Sequence, residues 1–202
     1  MAITGLALYG VAMVGGASTN GIGAGVNAIA FKELAAIVRP APYLPMDTGD
    51  GALEEYHRVV DSVFRRFTLI PAPFGAVFRS PDQVRAWLEM NYIALSEGMH
   101  FLEGRCETRV HIRESATEES SADLTAIAAE VFRALRRQAV AAVPLRTGDG
   151  GEVMGCAFLV QRATWTDFSA HVQEQARRYD ELQFEQTGPW PPYDFVRMEL
   201  GA

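Results

Sequence analysis

Three residues near the middle of the chain, His100, Glu103 and Cys106, carry side chains that could ligate a metal ion, and they are evenly spaced. A structural zinc site needs four ligands, which usually come as two pairs along the chain. Here the first two residues fall at the end of a predicted helix, the third lies beyond Gly104 in a predicted strand, and no second pair is recognisable nearby. We therefore expect no metal here and no cofactor elsewhere.

The glycine-rich run from Gly21 to Gly25 is the second place where ligand chemistry could occur, because closely spaced glycines allow a backbone to approach a phosphate group. The dinucleotide-binding fingerprint needs its third glycine one position later and a helix directly after it. Residues 26–31 instead have the pattern of a short strand. We therefore expect no nucleotide site.

Acid–base chemistry is the third possibility. Glu107, Arg109, His111 and Arg113 alternate with apolar residues in a predicted strand, so they share one face of it. An enzyme could use His111 there, with Glu107 or Arg109 as its partner. The sequence has no Gly-x-Ser-x-Gly elbow and no recognisable pairing of cysteine with histidine. We expect that the protein is not an enzyme.

The composition of the 202-residue chain is that of a globular protein, with 49% hydrophobic and 21% charged residues. Its net charge of −7 argues against a nucleic acid partner and against an anionic membrane surface. No apolar run reaches the roughly 18–20 residues of a membrane-spanning helix, and the uncharged residues 1–31 lack the basic start of a signal peptide. We expect a cytoplasmic protein in which Cys106 and Cys156 are buried thiols.

Hydrophobic periodicity predicts a first domain, residues 1–104, in which strands are followed by helices. The predicted strands cover residues 3–14, 26–31, 34–38 and the proline-broken stretch 69–78, with a glycine-rich loop over residues 15–25. One helix is predicted over residues 53–67, and a second runs without interruption from Ser80 to Leu102 and stops at Gly104. Ser80 is the predicted N-cap of the second helix, with Gln83 closing the capping box.

The second domain, residues 105–202, has the element order β-α-β-β-α-β, which is the ferredoxin-like pattern of two helices on one face of a four-stranded antiparallel sheet. Ser120 and Thr164 are the predicted N-caps of its helices, and residues 147–151 are a predicted hairpin turn. The face of its first strand that carries Glu107 is expected to be open to solvent. The fold class is therefore α+β, in two small α+β domains.

A stiff segment closes the chain after the last predicted strand. Its three prolines, Pro189, Pro191 and Pro192, fix their own φ angles and restrict the residues before them. Three large rings, Trp190, Tyr193 and Phe195, lie among these prolines. The segment is either a rigid strap whose rings lock onto the domain or a docking surface, because rigid aromatic side chains lose little entropy at an interface.

This closing segment, Gly188-Pro189-Trp190-Pro191-Pro192-Tyr193-x-Phe195-Val196, resembles the closing motif of the gas vesicle protein F/L family. Weaker similarities to the family follow in the right order over nearly the whole chain. They are Leu8-Tyr9-Gly10, the stretch Pro71-x-x-Phe74-Gly75-x-Val77-Phe78, and Gly104-x-x-Glu107-x-x-Val110. Pro73 and His111 stand where the family commonly has basic residues, so partner choice would differ if those positions contact a partner.

The resemblance implies an accessory or minor structural protein of gas vesicles, located in the cytoplasm in association with them. Such proteins are thought to help nucleate or assemble the shell by contacting the major shell protein and other accessory proteins. It also implies two α+β domains and no enzymatic activity. The candidate contact surfaces are residues 3–25 and the closing segment, unless both are simply core. The alternative function is a ferredoxin-like regulatory module that binds a small ligand between its helices or on its open sheet face.

Overall fold

The computed structural model describes residues 4–15, 25–43, 50–115, 123–146 and 151–200. The fold is mixed α+β, as predicted, with two antiparallel sheets. The chain divides into two compact units, of which the first contains Met1–Glu103 together with Val196–Ala202 and the second contains Gly104–Phe195. The tail Val196–Ala202 thus groups with the first unit. The predicted division at residue 104 into two domains stays a prediction.

The sheet of the first unit is built around β1, Thr4–Met13, with most of its side chains buried. Its strand order is β2-β3-β1-β4, and β5 also pairs with β1. Gly10 has no room for a side chain, because an added Cβ would lie 2.7 Å from the carbonyl oxygen of Ile70. The strands around β1 are β2 Asn27–Phe31, β3 Leu34–Pro42, β4 Leu69–Pro71 and β5 Val77–Phe78.

The helices of the first unit are α1 Asp50–Phe64, α2 Pro81–Met90 and α3 Tyr92–Leu102. The prediction of one uninterrupted helix from Ser80 to Leu102 is wrong, because the helix breaks at Asn91. The Asn91 side-chain amide donates to the carbonyl oxygen of Trp87 at 2.8 Å, as the Asn91 backbone N–H does at 3.0 Å. A side chain that bonds nearby backbone in this way competes with the helical pattern.

The N-terminus of α2 is capped by Ser80, as predicted, whose hydroxyl accepts from the Gln83 N–H at 3.2 Å. The Gln83 side chain accepts from the N–H of Arg79 at 2.8 Å, one residue before the cap itself. At the other end of the pair of helices Gly104 has a φ of +68°, the left-handed conformation expected of a helix stop.

The C-terminal tail packs on α2 and α3 within the first unit. The indole N–H of Trp87 donates to the carbonyl oxygen of Glu199 at 3.0 Å. Gly98 leaves room for the tail, because a Cβ there would lie 3.1 Å from a methyl group of Val196. Glu199 therefore completes the surroundings of Trp87, which lies 112 positions earlier in the chain.

The second unit has the predicted element order β-α-β-β-α-β. Its sheet is antiparallel with strand order β7-β8-β6-β9. Both helices contact the same face, because the ring of Phe158 on β8 lies 6.2 Å from that of Phe132 on α4 and 5.3 Å from that of Phe168 on α5. The elements are β6 Arg105–Glu114, α4 Leu124–Arg136, β7 Ala141–Pro144, β8 Glu152–Gln161, α5 Trp165–Arg178 and β9 Leu182–Trp190.

The two predicted N-caps in this unit have different outcomes. The N-cap of α4 is Asp123, whose carboxylate accepts from the Ala126 N–H at 3.1 Å, and the predicted cap Ser120 lies outside the described residues. Thr164 is the N-cap residue of α5, as predicted, but its side chain makes no cap hydrogen bond; it also ends a 3-10 turn, Arg162–Thr164, that leads into α5. Most of the glycine-rich loop (residues 16–24) and of the predicted hairpin turn (residues 147–150) also lies outside the described residues.

Candidate functional site

The prediction that Glu107 lies open to solvent is wrong, because its side chain is 0% exposed. β6 does place Glu107 on the face opposite the helices, as the alternation predicted, since its neighbour Thr108 bonds toward α5 through Gln186 and Ser169. The closing segment, residues 188–195, which we call the strap, contacts the Glu107 side chain through the backbone N–H of Asp194. Pro191 and Pro192 of the strap are buried.

The strap begins as the last part of β9, which runs through Pro189 to Trp190. β9 lies at the edge of its sheet and pairs with β6 only. Proline, which has no backbone N–H to donate, is tolerated in such an edge strand because the outer side has no partner strand. Gly188 has a φ of +124°, and an added Cβ would lie 3.0 Å from the carbonyl oxygen of Glu107. Glycine is therefore required where the strap leaves the sheet.

A closed network of three residues fastens the strap to β6. The backbone N–H of Asp194 donates to Oε2 of Glu107 at 2.9 Å, and Nε of Arg109 donates to Oε1 at 2.8 Å. Arg109 also donates to Oδ2 of Asp194 at 3.0 Å. Each of the three residues thus contacts the other two, with two carboxyl groups facing one guanidinium.

The electrostatics of the network centre on the buried carboxyl group. The pKa of Glu107 is raised to about 7, mainly by burial and also by the nearby carboxylate of Asp194, while the Asp194 N–H and Arg109 oppose the rise. In the register of the sheet Glu107 lies between Leu159 on β8 and Trp190 on β9. These apolar neighbours supply little solvation for a charge.

The aromatic side chains of the strap are less buried than its prolines. Trp190 is 40% exposed, and its indole N–H donates to the hydroxyl of Thr187 at 3.1 Å. Tyr193 and Phe195 are half-buried. The strap therefore combines a fixed, buried proline pair with a tryptophan whose ring is available at the surface.

The remaining residues of the predicted motifs lie elsewhere. Phe74 and Gly75 belong to the first unit, where the Phe74 ring packs edge-on against that of Tyr56 at 5.5 Å and Gly75 has a φ of +85°. Gly104 directly precedes β6, and its carbonyl oxygen accepts from the Arg162 N–H at 2.8 Å. The structure thus brings Glu107 together with the strap, and leaves Phe74, Gly75 and Gly104 in supporting positions.

Two residues of this face escaped the sequence reasoning. Asp194 is the position written x in the closing motif, yet it supplies both the N–H and the second carboxyl group of the network. Glu152, only 5% exposed, pairs with Nδ1 of His111. The imidazole that was considered as a catalytic base is thus held by a different carboxylate from Glu107.

The described residues offer no other reactive cluster, because both cysteines are buried and the potential metal ligands are not grouped together. Burial raises the pKa of Cys106 to about 11 and that of Cys156 to about 12, so both are thiols at neutral pH. The described part of the chain contains no group of three or more His, Cys, Asp or Glu residues that could hold a metal ion. None of the described helices has both the length and the apolar composition to cross a membrane.

Comparison with curated proteins finds relatives over most of the chain. Gas vesicle protein F2 of Halobacterium salinarum is 24% identical over 177 residues, which cover 86% of this chain and 81% of the relative. Gas vesicle protein F of Haloferax mediterranei is 26% identical over 181 residues, which cover 88% of this chain and 84% of the relative.

Solved structures show the same fold. The gas vesicle protein GvpF from Anabaena superposes with a TM-score of 0.81 at 20% identity, over 97% of both chains. GvpF from Microcystis aeruginosa gives a TM-score of 0.77 at 16% identity, over 95% of this chain and 98% of the other. The model of the gas vesicle synthesis protein GvpL/GvpF family matches residues 5–123 and 108–197. Because these matches span both units and include the strap, the chain belongs to the gas vesicle synthesis protein GvpL/GvpF family.

Proposed function

We propose that this protein is an accessory or minor structural protein of gas vesicles, which helps to nucleate or assemble the shell. It acts by binding the major shell protein and other accessory proteins. The family match over both units supports the gas vesicle role. The single structural observation that supports a binding role is the exposed ring of Trp190 on a strap whose prolines are buried.

The physical argument concerns the shell subunit, a small and very apolar protein that would aggregate if it were left exposed. An accessory protein can cover such a surface with an aromatic side chain that is already held in place. Trp190 meets this requirement, because its position is fixed by Pro189, Pro191 and its own hydrogen bond to Thr187. Little entropy would be lost when a partner contacts it.

The other predicted contact surface, residues 3–25, receives less support. Most side chains of β1 are buried, so they serve the core of the first unit. Two large apolar side chains on the first unit are much more exposed, Met90 at 84% and Ile93 at 72%. They offer a second place at which an apolar partner could bind, and they can be tested beside Trp190.

The experiment is a co-expression pull-down with the major shell protein, with a charge-matched unrelated protein as control bait. Trp190→Ala is compared with Leu53→Ala, because Leu53 is exposed to the same 40% on a helix of the first unit. We expect Trp190→Ala to lower recovery about tenfold, as loss of a hot-spot ring does, with an unchanged melting temperature. Leu53→Ala should leave recovery unchanged.

Three outcomes would overturn parts of this proposal. Equal recovery of the shell protein by wild type and by the control bait would remove the binding role. Loss of folding in Trp190→Ala would make the strap purely structural. A loss of recovery confined to a Met90→Gln, Ile93→Gln double variant would move the contact to the first unit. The alternative role in binding a small ligand is less favoured, because the strap occupies part of the sheet face expected to be open.

A further inference from the structure

We propose that the strap is a pH-responsive latch: the carboxyl group of Glu107 takes up one proton as the strap closes over it and loses that proton as the strap opens. This inference goes beyond the proposed function and does not depend on it, because it concerns the isolated chain. It rests on the geometry of the network formed by Glu107, Arg109 and Asp194.

The first step is a count of charges in the closed network. Two carboxyl groups share one guanidinium, so the fully ionised network carries one uncompensated negative charge. Arg109 and Asp194 keep some contact with solvent, with side chains 35% and 26% exposed, whereas Glu107 has none. The uncompensated charge therefore lies on the Glu107 carboxylate, which water does not reach, and the uptake of a proton neutralises it.

The second step is that opening the strap removes both causes of this proton uptake. The strap supplies the Asp194 carboxylate that repels Glu107, and its Asp194 N–H lies directly against the buried Glu107 carboxyl group, where it takes the place of water. When it lifts, Glu107 becomes an ordinary hydrated carboxyl group beside Arg109. Closure is therefore coupled to proton binding, and the raised pKa of Glu107 in the closed form has the matching direction.

Other charged or titratable groups share the face of Glu107. Arg105, two positions earlier on β6, lies on that face by alternation and carries a positive charge. The cross-strand neighbours of Glu107 in register are Leu159 on β8 and Trp190 on β9, neither of which titrates. The phenol of Tyr193 is the other titratable group on the buried part of the strap. Further along the same face His111 is paired with Glu152 on β8, and Glu185 lies opposite His111 on β9.

The direction in which pH changes the opening of the strap follows from the protonation states of Glu107 in the closed and open forms. Between the ordinary pKa of 4.5 for the open form and about 7 for the closed form, only the closed form holds the proton. Raising the pH through this window therefore favours opening, by up to about tenfold for each pH unit, because one proton is released. Above the window the effect levels off.

The test is hydrogen exchange of the Asp194 backbone N–H, followed by NMR at pH values from about 5 to 8.5 and corrected for the intrinsic exchange rate. We expect its protection factor to fall by up to about tenfold per pH unit up to about pH 7 and then to level off. The N–H of Val140, which donates to Leu159 at 2.8 Å in the same unit, is the internal control and should not follow this curve.

Two variants make the result decisive. Glu107→Gln replaces the carboxyl group by an amide that takes up no proton and can accept from only one of its two N–H donors, so the protection of Asp194 should be lower and should become independent of pH. Asp194→Asn keeps the backbone N–H but removes the second carboxyl group, so the fall in protection should move to lower pH. Protection that does not depend on pH in wild type overturns the latch. An unchanged curve in Glu107→Gln, or in Asp194→Asn if the first variant does not fold, also overturns it.

Discussion

The backbone N–H of Asp194 reaches back across 87 positions to the carboxyl group of Glu107 and binds it at 2.9 Å. This bond joins the end of the second unit to its first strand. It therefore connects the closing motif to Glu107, which belongs to another of the stretches that resemble the family. Arg109, which lies on the same strand as Glu107, donates hydrogen bonds to the side chains of both Glu107 and Asp194. The network explains why a fully buried glutamate is tolerated on the sheet face opposite α4 and α5.

We predict that Glu107→Gln changes how the stability of the protein depends on pH. The pKa of Glu107 is raised from 4.5 to about 7 on folding, so the folded state holds a proton that the unfolded state has lost in this window. Wild type therefore loses stability as the pH rises from about 4.5 to 7, by at most on the order of 3 kcal/mol, at about 1.4 kcal/mol per unit of pKa shift. Denaturant titrations at several pH values should show a smaller loss in the variant. Parallel curves for the two proteins would contradict this assignment.

We predict that Gly188→Ala destabilises the protein more than Gly151→Ala does. Both glycines have positive φ values, +124° and +78°, but only at position 188 would the new Cβ lie 3.0 Å from a backbone oxygen. At position 151 the nearest atom would be 3.8 Å away, an ordinary contact. The difference in free energy of unfolding should be about 2 kcal/mol, measured by chemical denaturation. Equal effects would mean that the exit from β9 tolerates a side chain.

We predict that truncation after Phe195 destabilises the first unit. It removes Val196, which packs on Gly98, and the carbonyl oxygen of Glu199, which accepts from the buried indole of Trp87. An unpaired buried N–H and the lost packing together should cost about 2–4 kcal/mol. Truncation after Leu200 keeps these contacts and is the control. Melting curves and tryptophan fluorescence would report the loss, and identical behaviour of the two truncated chains would refute it.

We predict that neither cysteine reacts with a thiol reagent in the folded protein at pH 8. Cys106 and Cys156 are buried, and burial raises the pKa values of both thiols, to about 11 and about 12. Few molecules are then in the reactive thiolate form, and those few are shielded. Both cysteines should react within minutes once the protein is unfolded in urea. Fast reaction of either one without denaturant would show that its strand opens readily.

The sequence allowed the second unit to be predicted well, for local reasons. The alternation in β6 and the helical spacing of apolar residues in α4 and α5 are short-range patterns, and they gave the correct element order. The break at Asn91 was missed because neither proline nor glycine marks it. It arises from one asparagine side chain that bonds the carbonyl oxygen of Trp87.

The candidate site was predictable only in part. The prolines around Trp190 indicated a stiff segment, and alternation placed Glu107 and Arg109 on one face. Alternation cannot tell what packs on a face, however, and the strap residue that contacts the Glu107 side chain, Asp194, comes 87 positions later. The role of Asp194 is therefore long-range, so no local pattern could have revealed it.

The grouping of the C-terminal tail with the first unit has a consequence for the order in which the protein forms during synthesis. A ribosome makes the N-terminal half first, and domains usually fold in that order. Here α2 and α3 are synthesised before the whole of the second unit, and Val196 and Glu199 follow only after it. The first unit therefore acquires its final layer only once Gly104–Phe195 has also been synthesised.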